Sequence, residues 1–169
     1  MPKKAHSLSL WEFSVGTYSR PGVAEICLAL QDKANADVNV ALMMLWLAND
    51  GHRVADERFF SLLEAQIGEW HAEVVRALRG ARRWMKTCQH PDAVAAQTLR
   101  NNIKRLEIEA ERLEQQLLEA FATSHSSLLA ETENRERAMR SNLEAYLDHL
   151  AMFTPQSRAA ADKLAALSV

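Results

Sequence analysis

Two carboxylates and an amide lie beside the most apolar stretch of the sequence, at Asp32, Asp37 and Asn39. Carboxylate and amide oxygens can bind a cation, and paired carboxylates can act as an acid and a base. Ordinary structural roles also fit, because Asp37 is well placed to cap the following helix and Asp32 can pair with a nearby Arg or Lys. We treat the three residues as a candidate polar cluster, and capping alone accounts for Asp37.

Basic residues dominate the stretch from residue 76 to residue 105, where eight of them accompany a single acidic residue. Four of them lie on one stripe of the predicted helix and could meet an acidic protein surface or a phosphate backbone together. These four are Arg76, Arg79, Arg83 and Lys86. A solvated face with intrachain ion pairs is the commoner reason for such a run, and nucleic-acid binding usually adds exposed aromatic residues for stacking. The basic residues predicted to bind a partner are Arg76, Arg79, Arg82, Arg83, Lys86, Arg100, Lys104 and Arg105.

Other catalytic and cofactor-binding patterns are missing from the sequence. No histidine follows a glutamate by three residues, as the metal motif of a di-iron bundle requires, and no glycine-rich phosphate loop is present. Cys27 and Cys88 are isolated within apolar helical patterns, which predicts reduced, buried thiols. The sequence therefore predicts no metal, no cofactor and no catalytic residue, and it favours a non-catalytic role.

The stretch from Val38 to Ala48 is apolar except for Asn39. A helix without a polar face must be buried on all sides, and this one is too short to span a membrane. We expect it to be the centre of the fold, capped by Asp37 and closed by Gly51. The capping-box spacing of Ser9 and Glu12 predicts a short helix before it.

Two heptad patterns predict a long antiparallel hairpin, with a break at His90 and Pro91. Trp84 falls on the first pattern and is therefore predicted to be core. The first pattern comprises Phe60, Leu63, Ile67, Trp70, Val74, Ala77, Ala81, Trp84 and Cys88. The second comprises Leu99, Ile103, Leu106, Ala110, Leu113, Leu117 and Ala120.

Several large apolar side chains could line a ligand pocket between helices, although such residues at helical spacing are more often plain core. They are Trp11, Trp46, Trp70, Met43 and Met44.

Length and composition predict one domain spanning residues 1–169, and the helical patterns predict that it is all-α, with a compact N-terminal helical layer and a long antiparallel helical hairpin. The chain has 169 residues, 48% hydrophobic and 25% charged, and a net charge of −2, so an anionic partner would need a local patch. We find no alternating strand pattern, signal peptide or membrane span, and we expect a cytoplasmic monomer or homodimer. The predicted parts are a loose tail (1–7), the N-terminal layer (8–55), the hairpin (56–123) and C-terminal helices whose last part frays (124–169).

The N-terminal motifs resemble those of a family of short proteobacterial proteins known only as a domain of unknown function. The resemblance is close from Leu10 to Leu47, looser through the hairpin and absent after Thr123. It implies a soluble bacterial protein and brings no activity with it. The motifs are Leu10-Trp11-x-Phe13, Tyr18-x-x-Pro21-Gly22-Val23, Cys27-Leu28-x-Leu30-Gln31-Asp32, Asp37-Val38-Asn39 and Leu45-Trp46-Leu47.

The charge pattern and the absence of catalytic spacing predict a non-catalytic adaptor. In this reading the basic residues at the tip of the hairpin, between residues 76 and 105, meet an acidic protein surface. Two alternatives stay open. One is a small-molecule-binding or enzymatic helical bundle that uses Asp32, Asp37 and Asn39. The other is binding of RNA or the ribosome through the same basic residues.

Overall fold

The computed structural model describes residues 8–168 and is all-α, as the sequence predicts. The predicted tail at residues 1–7 lies outside the described residues. The α-helices are α1 (Leu10–Tyr18), α2 (Val23–Ala34), α3 (Val38–Asn49), α4 (Arg58–Trp70), α5 (Arg76–Trp84), α6 (Ala93–Ser124), α7 (Arg135–His149) and α8 (Pro155–Ser168). A π-helical turn, His71–Val75, joins α4 to α5, and a short 3-10 turn, Ser126–Leu128, follows α6. The two strands are β1 (His52–Val54) and β2 (Leu129–Glu131).

Helix α3 is the centre of the fold, and its residues from Asn39 to Ala48 are all buried. Helices α1, α2, α6 and α7 pack around it. The predicted cap is confirmed, because the Asp37 carboxylate accepts the backbone N–H of Asn39 at 2.8 Å. Gly51 follows the helix with a φ of +80°, a conformation that favours glycine. No helix between residues 8 and 168 is long and apolar enough to cross a membrane.

The first half of the hairpin contains one π-helical turn, which adds one residue to the α-helix that the sequence suggests. In the π-helical turn the N–H of Arg76 bonds to the carbonyl of His71, five residues earlier, instead of four as in an α-helix. The extra residue rotates everything that follows, so Val75 is buried where Val74 is predicted. The prediction that Trp84 is core is wrong for the same reason, since this side chain is 68% exposed.

The second heptad pattern is also wrong at most of its positions, and of its residues only Ala110 is buried. Leu99, Leu106, Leu113 and Leu117 are exposed on α6, although the pattern places them in the seam. The buried face instead carries two glutamates within an apolar surround, and charged side chains are not expected in the interior of a seam. The residues of the buried face are Glu107, Ala110, Glu114, Gln115, Leu118, Phe121 and Ala122.

The two short strands, which no sequence pattern predicts, form an antiparallel ribbon in which Arg53 pairs with Ala130. Asn142 on α7 is fully buried behind it. Its Oδ1 accepts the N–H of Val54 at 2.8 Å, and its Nδ2 donates to the carbonyl of Met44 at 3.1 Å. One amide therefore joins α3, β1 and α7. Three residues per strand are too few for a detectable alternating pattern.

Helix α8, whose end is predicted to fray, packs against α2 and α7. Ala161, Leu164 and Ala165 are fully buried, and the guanidinium of Arg20 donates to the carbonyl of Leu167 at 2.9 Å.

Candidate functional site

The predicted basic residues divide into two groups, and the first is paired within the chain. The guanidinium of Arg79 contacts Glu107 at 3.1 Å and Glu111 at 2.6 Å, and Arg82 also pairs with Glu107. Burial would raise the pKa of Glu107, but hydrogen bonds and charge attraction from the two arginines outweigh it and lower that pKa. Arg83 pairs with Asp32 at 2.9 Å.

The second group leaves its charge available. Arg76, Lys86, Lys104 and Arg105 are exposed and form no ion pair within residues 8–168. Arg100 is half-buried, and its Nε donates to the carbonyl of Arg82 at 3.3 Å.

The hairpin tip, which we define as residues 84–100, also exposes large apolar side chains. Trp84 is 68% exposed, Val94 80% and Leu99 53%. The bond from Arg100 to the last turn of α5 holds the two helix ends together. The tip therefore combines apolar surface with a basic surround, since Lys86 and Arg100 outnumber its one carboxylate, Asp92.

The candidate polar cluster assembles only in part. Asp32 lies on the surface, and its pairing with Arg83 ties α2 to the hairpin. Asp37 and Asn39 instead enter a buried network. Nδ1 of His71 lies 2.9 Å from both the Asp37 and the Glu114 carboxylates. The other Glu114 oxygen accepts Nδ2 of Asn39 at 2.5 Å.

Two further side chains extend this network. Nε2 of Gln115 donates to Oδ1 of Asn39 at 2.8 Å, and the Tyr146 hydroxyl accepts the backbone N–H of Asp37 at 2.8 Å. Sequence reasoning missed His71 and Glu114 because they lie far from Asp37 in the chain. The only local signal was the position of Glu114, which directly follows Leu113 of the second heptad pattern. A heptad pattern assigns a glutamate at such a position to the solvent.

The network holds a protonated His71 imidazolium between the carboxyl groups of Asp37 and Glu114. Burial alone would lower the pKa of His71, but hydrogen bonds and charge attraction from Asp37 and Glu114 raise it to about 10. Burial raises the pKa of Glu114 to about 7, although its bond to His71 acts in the opposite direction. These three side chains could also hold a divalent ion, since their ligand atoms lie within 4.8 Å of one another, but only in exchange for the His71 proton.

Most of the large apolar side chains considered for a pocket belong to the core. Trp46, Met43 and Met44 are fully buried. Trp70 is half-buried, and its indole N–H donates to the carbonyl of Ala110 at 3.2 Å. Trp11 is half-buried beside a cleft between α1, α2, α3 and the hairpin.

The two cysteines differ in burial. Cys27 is fully buried, and burial raises the pKa of its thiol to about 12, which makes it a poor nucleophile. Cys88 is half-buried near the hairpin tip, and no disulfide links the two.

One family model, described as a protein of unknown function (DUF2390), matches residues 9–118. This match confirms the resemblance to an uncharacterised family that the N-terminal motifs indicate. No curated protein and no solved structure matches the chain. The matched segment includes the hairpin tip and the Asp37, His71 and Glu114 side chains, whereas Tyr146 lies beyond it.

Proposed function

Because the chain belongs to this family of unknown function, the match supplies no activity, and we propose that the protein is a non-catalytic interaction module. Its hairpin tip binds an acidic surface on a protein partner. The observation that carries the proposal is the outward position of Trp84, which results from the π-helical turn. π-helical turns occur frequently at functional sites.

The apolar part of the tip supports a protein partner. Trp84, Val94 and Leu99 expose apolar surface on the same short segment, and tryptophan is among the residues that contribute most to protein interfaces. Trp84 lies on the last turn of α5, so a partner can reach it without any rearrangement of the core.

The charges at the tip specify the partner's chemistry. Lys86 is exposed and unpaired in the described part of the chain, and Lys104 and Arg105 extend the basic surface along α6. Arg79 and Arg82 do not contribute, because Glu107 and Glu111 neutralise them. Charge complementarity therefore favours an acidic surface, and it mainly accelerates association.

An enzymatic role that uses Asp32, Asp37 and Asn39 together has less support. Asp32 is outside the network and pairs with Arg83. Both carboxylate oxygens of Asp37 and both amide atoms of Asn39 already contact neighbouring groups of the chain. The cytoplasmic location and the monomeric or homodimeric state stay predictions.

The proposal is tested by placing a photo-crosslinking amino acid at Gln89 on the tip and, as a matched control, at Gln66 on α4, both of which are exposed. We expect a protein adduct from position 89 only, and it should survive ribonuclease. With the purified partner, Trp84→Ser should weaken binding by about 30-fold or more, as expected for an interface hot spot. Lys86→Glu should slow association, whereas Lys163→Glu on α8 should not.

Three results would contradict the proposal. Unchanged affinity of the Trp84→Ser variant would remove its main support. Adducts that disappear with ribonuclease, together with a steep loss of binding in salt, would favour RNA or the ribosome. Flotation with anionic phospholipid vesicles, lost in Trp84→Ser, would identify a membrane surface instead.

A further inference from the structure

Three side chains of the kinds that bind metal ions converge from distant parts of the chain. Asp37 directly precedes α3, His71 begins the π-helical turn, and Glu114 belongs to α6. One oxygen of each carboxylate lies 2.9 Å from Nδ1 of His71, and the three atoms lie within 4.8 Å of one another. Helical bundles build metal sites in the same way, from side chains on facing helices.

Asn39 fixes the direction of both carboxylates. Its backbone N–H donates to Oδ1 of Asp37 at 2.8 Å, and its Nδ2 donates to Oε2 of Glu114 at 2.5 Å. Each carboxylate therefore has one oxygen held by this residue and points its other oxygen at Nδ1 of His71. Gln115 donates to Oδ1 of Asn39 at 2.8 Å and holds the amide in place. Hydrogen bonds that orient the ligands in this way are typical of metal sites.

The three side chains are buried, yet an ion can reach them from solvent. The side chain of Glu114 is fully buried, whereas those of Asp37 and His71 are 11% and 17% exposed. Both of these residues line a cleft of about 410 Å³ that lies between α3, α4 and α7. An ion can therefore enter from this cleft, and water in the cleft can complete its coordination.

The charge of the three side chains suits a divalent ion. His71 carries at most one positive charge, so the group is negative whenever both carboxylates are ionised. A divalent ion bound to both carboxylates and to a neutral imidazole makes the group neutral. Buried charges in proteins are generally either paired or bound to a metal ion.

From this geometry we infer that Asp37, His71 and Glu114 bind one divalent transition-metal ion, at a site separate from the hairpin tip. The ion bonds to Oδ2 of Asp37, Nδ1 of His71 and Oε1 of Glu114, and the Nδ1 proton leaves to solvent. An imidazole nitrogen combined with carboxylate oxygens suits Zn²⁺, whereas Mg²⁺ prefers oxygen ligands alone. The ion joins the start of α3, the π-helical turn and α6.

The test is isothermal titration calorimetry with Zn²⁺, on tag-free protein that has first been treated with a chelator and then freed of it. We expect one equivalent of Zn²⁺ to bind with micromolar or tighter affinity. Because the ion binds only the folded chain, excess Zn²⁺ should also raise the melting temperature. Mg²⁺ at the same concentration should do neither.

Variants locate the bound ion. His71→Gln and Glu114→Gln should each weaken Zn²⁺ binding by about 100-fold or more, since each removes one of three protein ligands. Asn39→Ala removes no ligand but releases the Glu114 carboxylate, and it should weaken binding by about tenfold. His149→Gln is the matched control, because Nε2 of His149 lies 3.3 Å from the exposed carboxylate of Glu64. Its affinity for Zn²⁺ should equal that of the natural protein.

Three results would overturn this inference. They are no Zn²⁺ binding by the natural protein at millimolar concentration, equal affinities in His71→Gln and His149→Gln, and displacement of Zn²⁺ by an equal concentration of Mg²⁺. The first and third need no variant, and circular dichroism shows whether each variant is folded. Trp84→Ser should bind Zn²⁺ as the natural protein does, so failure of the metal site and failure of the hairpin tip are distinguished.

Discussion

His71 should make the free energy of unfolding depend on pH, and His71→Gln should remove the part of that dependence that comes from the imidazole. The pKa of the imidazole rises from 6.5 in the unfolded chain to about 10 in the fold. A raised pKa contributes stability fully below about pH 6.5, and the contribution is lost as the pH rises through about 10. At about 1.4 kcal/mol for each pH unit, the interval corresponds to at most about 5 kcal/mol.

The variant should therefore be less stable than the natural protein at pH 6, since it leaves the Asp37 carboxylate buried without a cation and removes the hydrogen bond between His71 and Glu114. The difference in stability between the two proteins should shrink by about 2 to 5 kcal/mol on going to pH 10. Urea denaturation at a series of pH values, in chelator to exclude metal ions, measures it.

A matched control is His149→Gln, because the carboxylate partner of His149, Glu64, has a side chain that is 73% exposed. Its stability difference from the natural protein should stay within about 1 kcal/mol at every pH, as expected for a surface pair. If the free energy of unfolding differs between His71→Gln and the natural protein by the same amount at pH 6 and at pH 10, the buried imidazolium is refuted.

Two further predictions concern the hairpin. Trp84→Ala should change the free energy of unfolding by less than about 0.5 kcal/mol, whereas Trp46→Ala should cost about 3 to 5 kcal/mol, since only the second indole is buried. Chemical denaturation measures both, and a large cost for Trp84→Ala would place that side chain in the core. Deletion of Ala72 should convert the π-helical turn into an α-helical one and rotate Arg79 away from Glu107, with a loss of several kcal/mol. Deletion of the exposed Gln89 in the turn at the tip is the control, and equal losses from the two deletions would contradict a specific role for the π-helical turn.

Features that depend on neighbouring residues were predictable from the sequence. The capping box of Ser9 and Glu12 is present, and Asp37 caps α3. The apolar stretch of α3 is buried on all sides because its composition leaves no face for water. These signals lie within a few residues, so one sequence contains all the information that they require.

Features that depend on distant partners were not predictable. Glu107 and Glu114 are buried because Arg79, Arg82 and His71 come from another helix to pair with them. Period counting cannot detect such pairing, so the exposed leucines of α6 were placed in the seam instead. The π-helical turn adds one residue, and no glycine or proline occurs within it. The seam positions from Val74 to Trp84 were therefore assigned one residue out of register.

The candidate site shows the same division. Asp37 and Asn39 were found because they lie beside the apolar helix that they cap and support. Asp32 was grouped with them by proximity in sequence, yet its α2 position points it to Arg83. Gln115, which donates to Asn39 in the buried network, has no sequence signal at all.

The amide of Asn142 has a consequence for the newly made chain. Asn142 binds the carbonyl of Met44 across 98 residues of sequence, and α7 covers a side of α3 that nothing earlier in the chain covers to the same extent. At a synthesis rate of about 5 to 20 residues per second, α3 leaves the ribosome about 5 to 20 seconds before α7 can reach it. During that interval the most apolar helix of the protein is incompletely shielded, so we expect the nascent chain to need chaperones that bind exposed apolar segments.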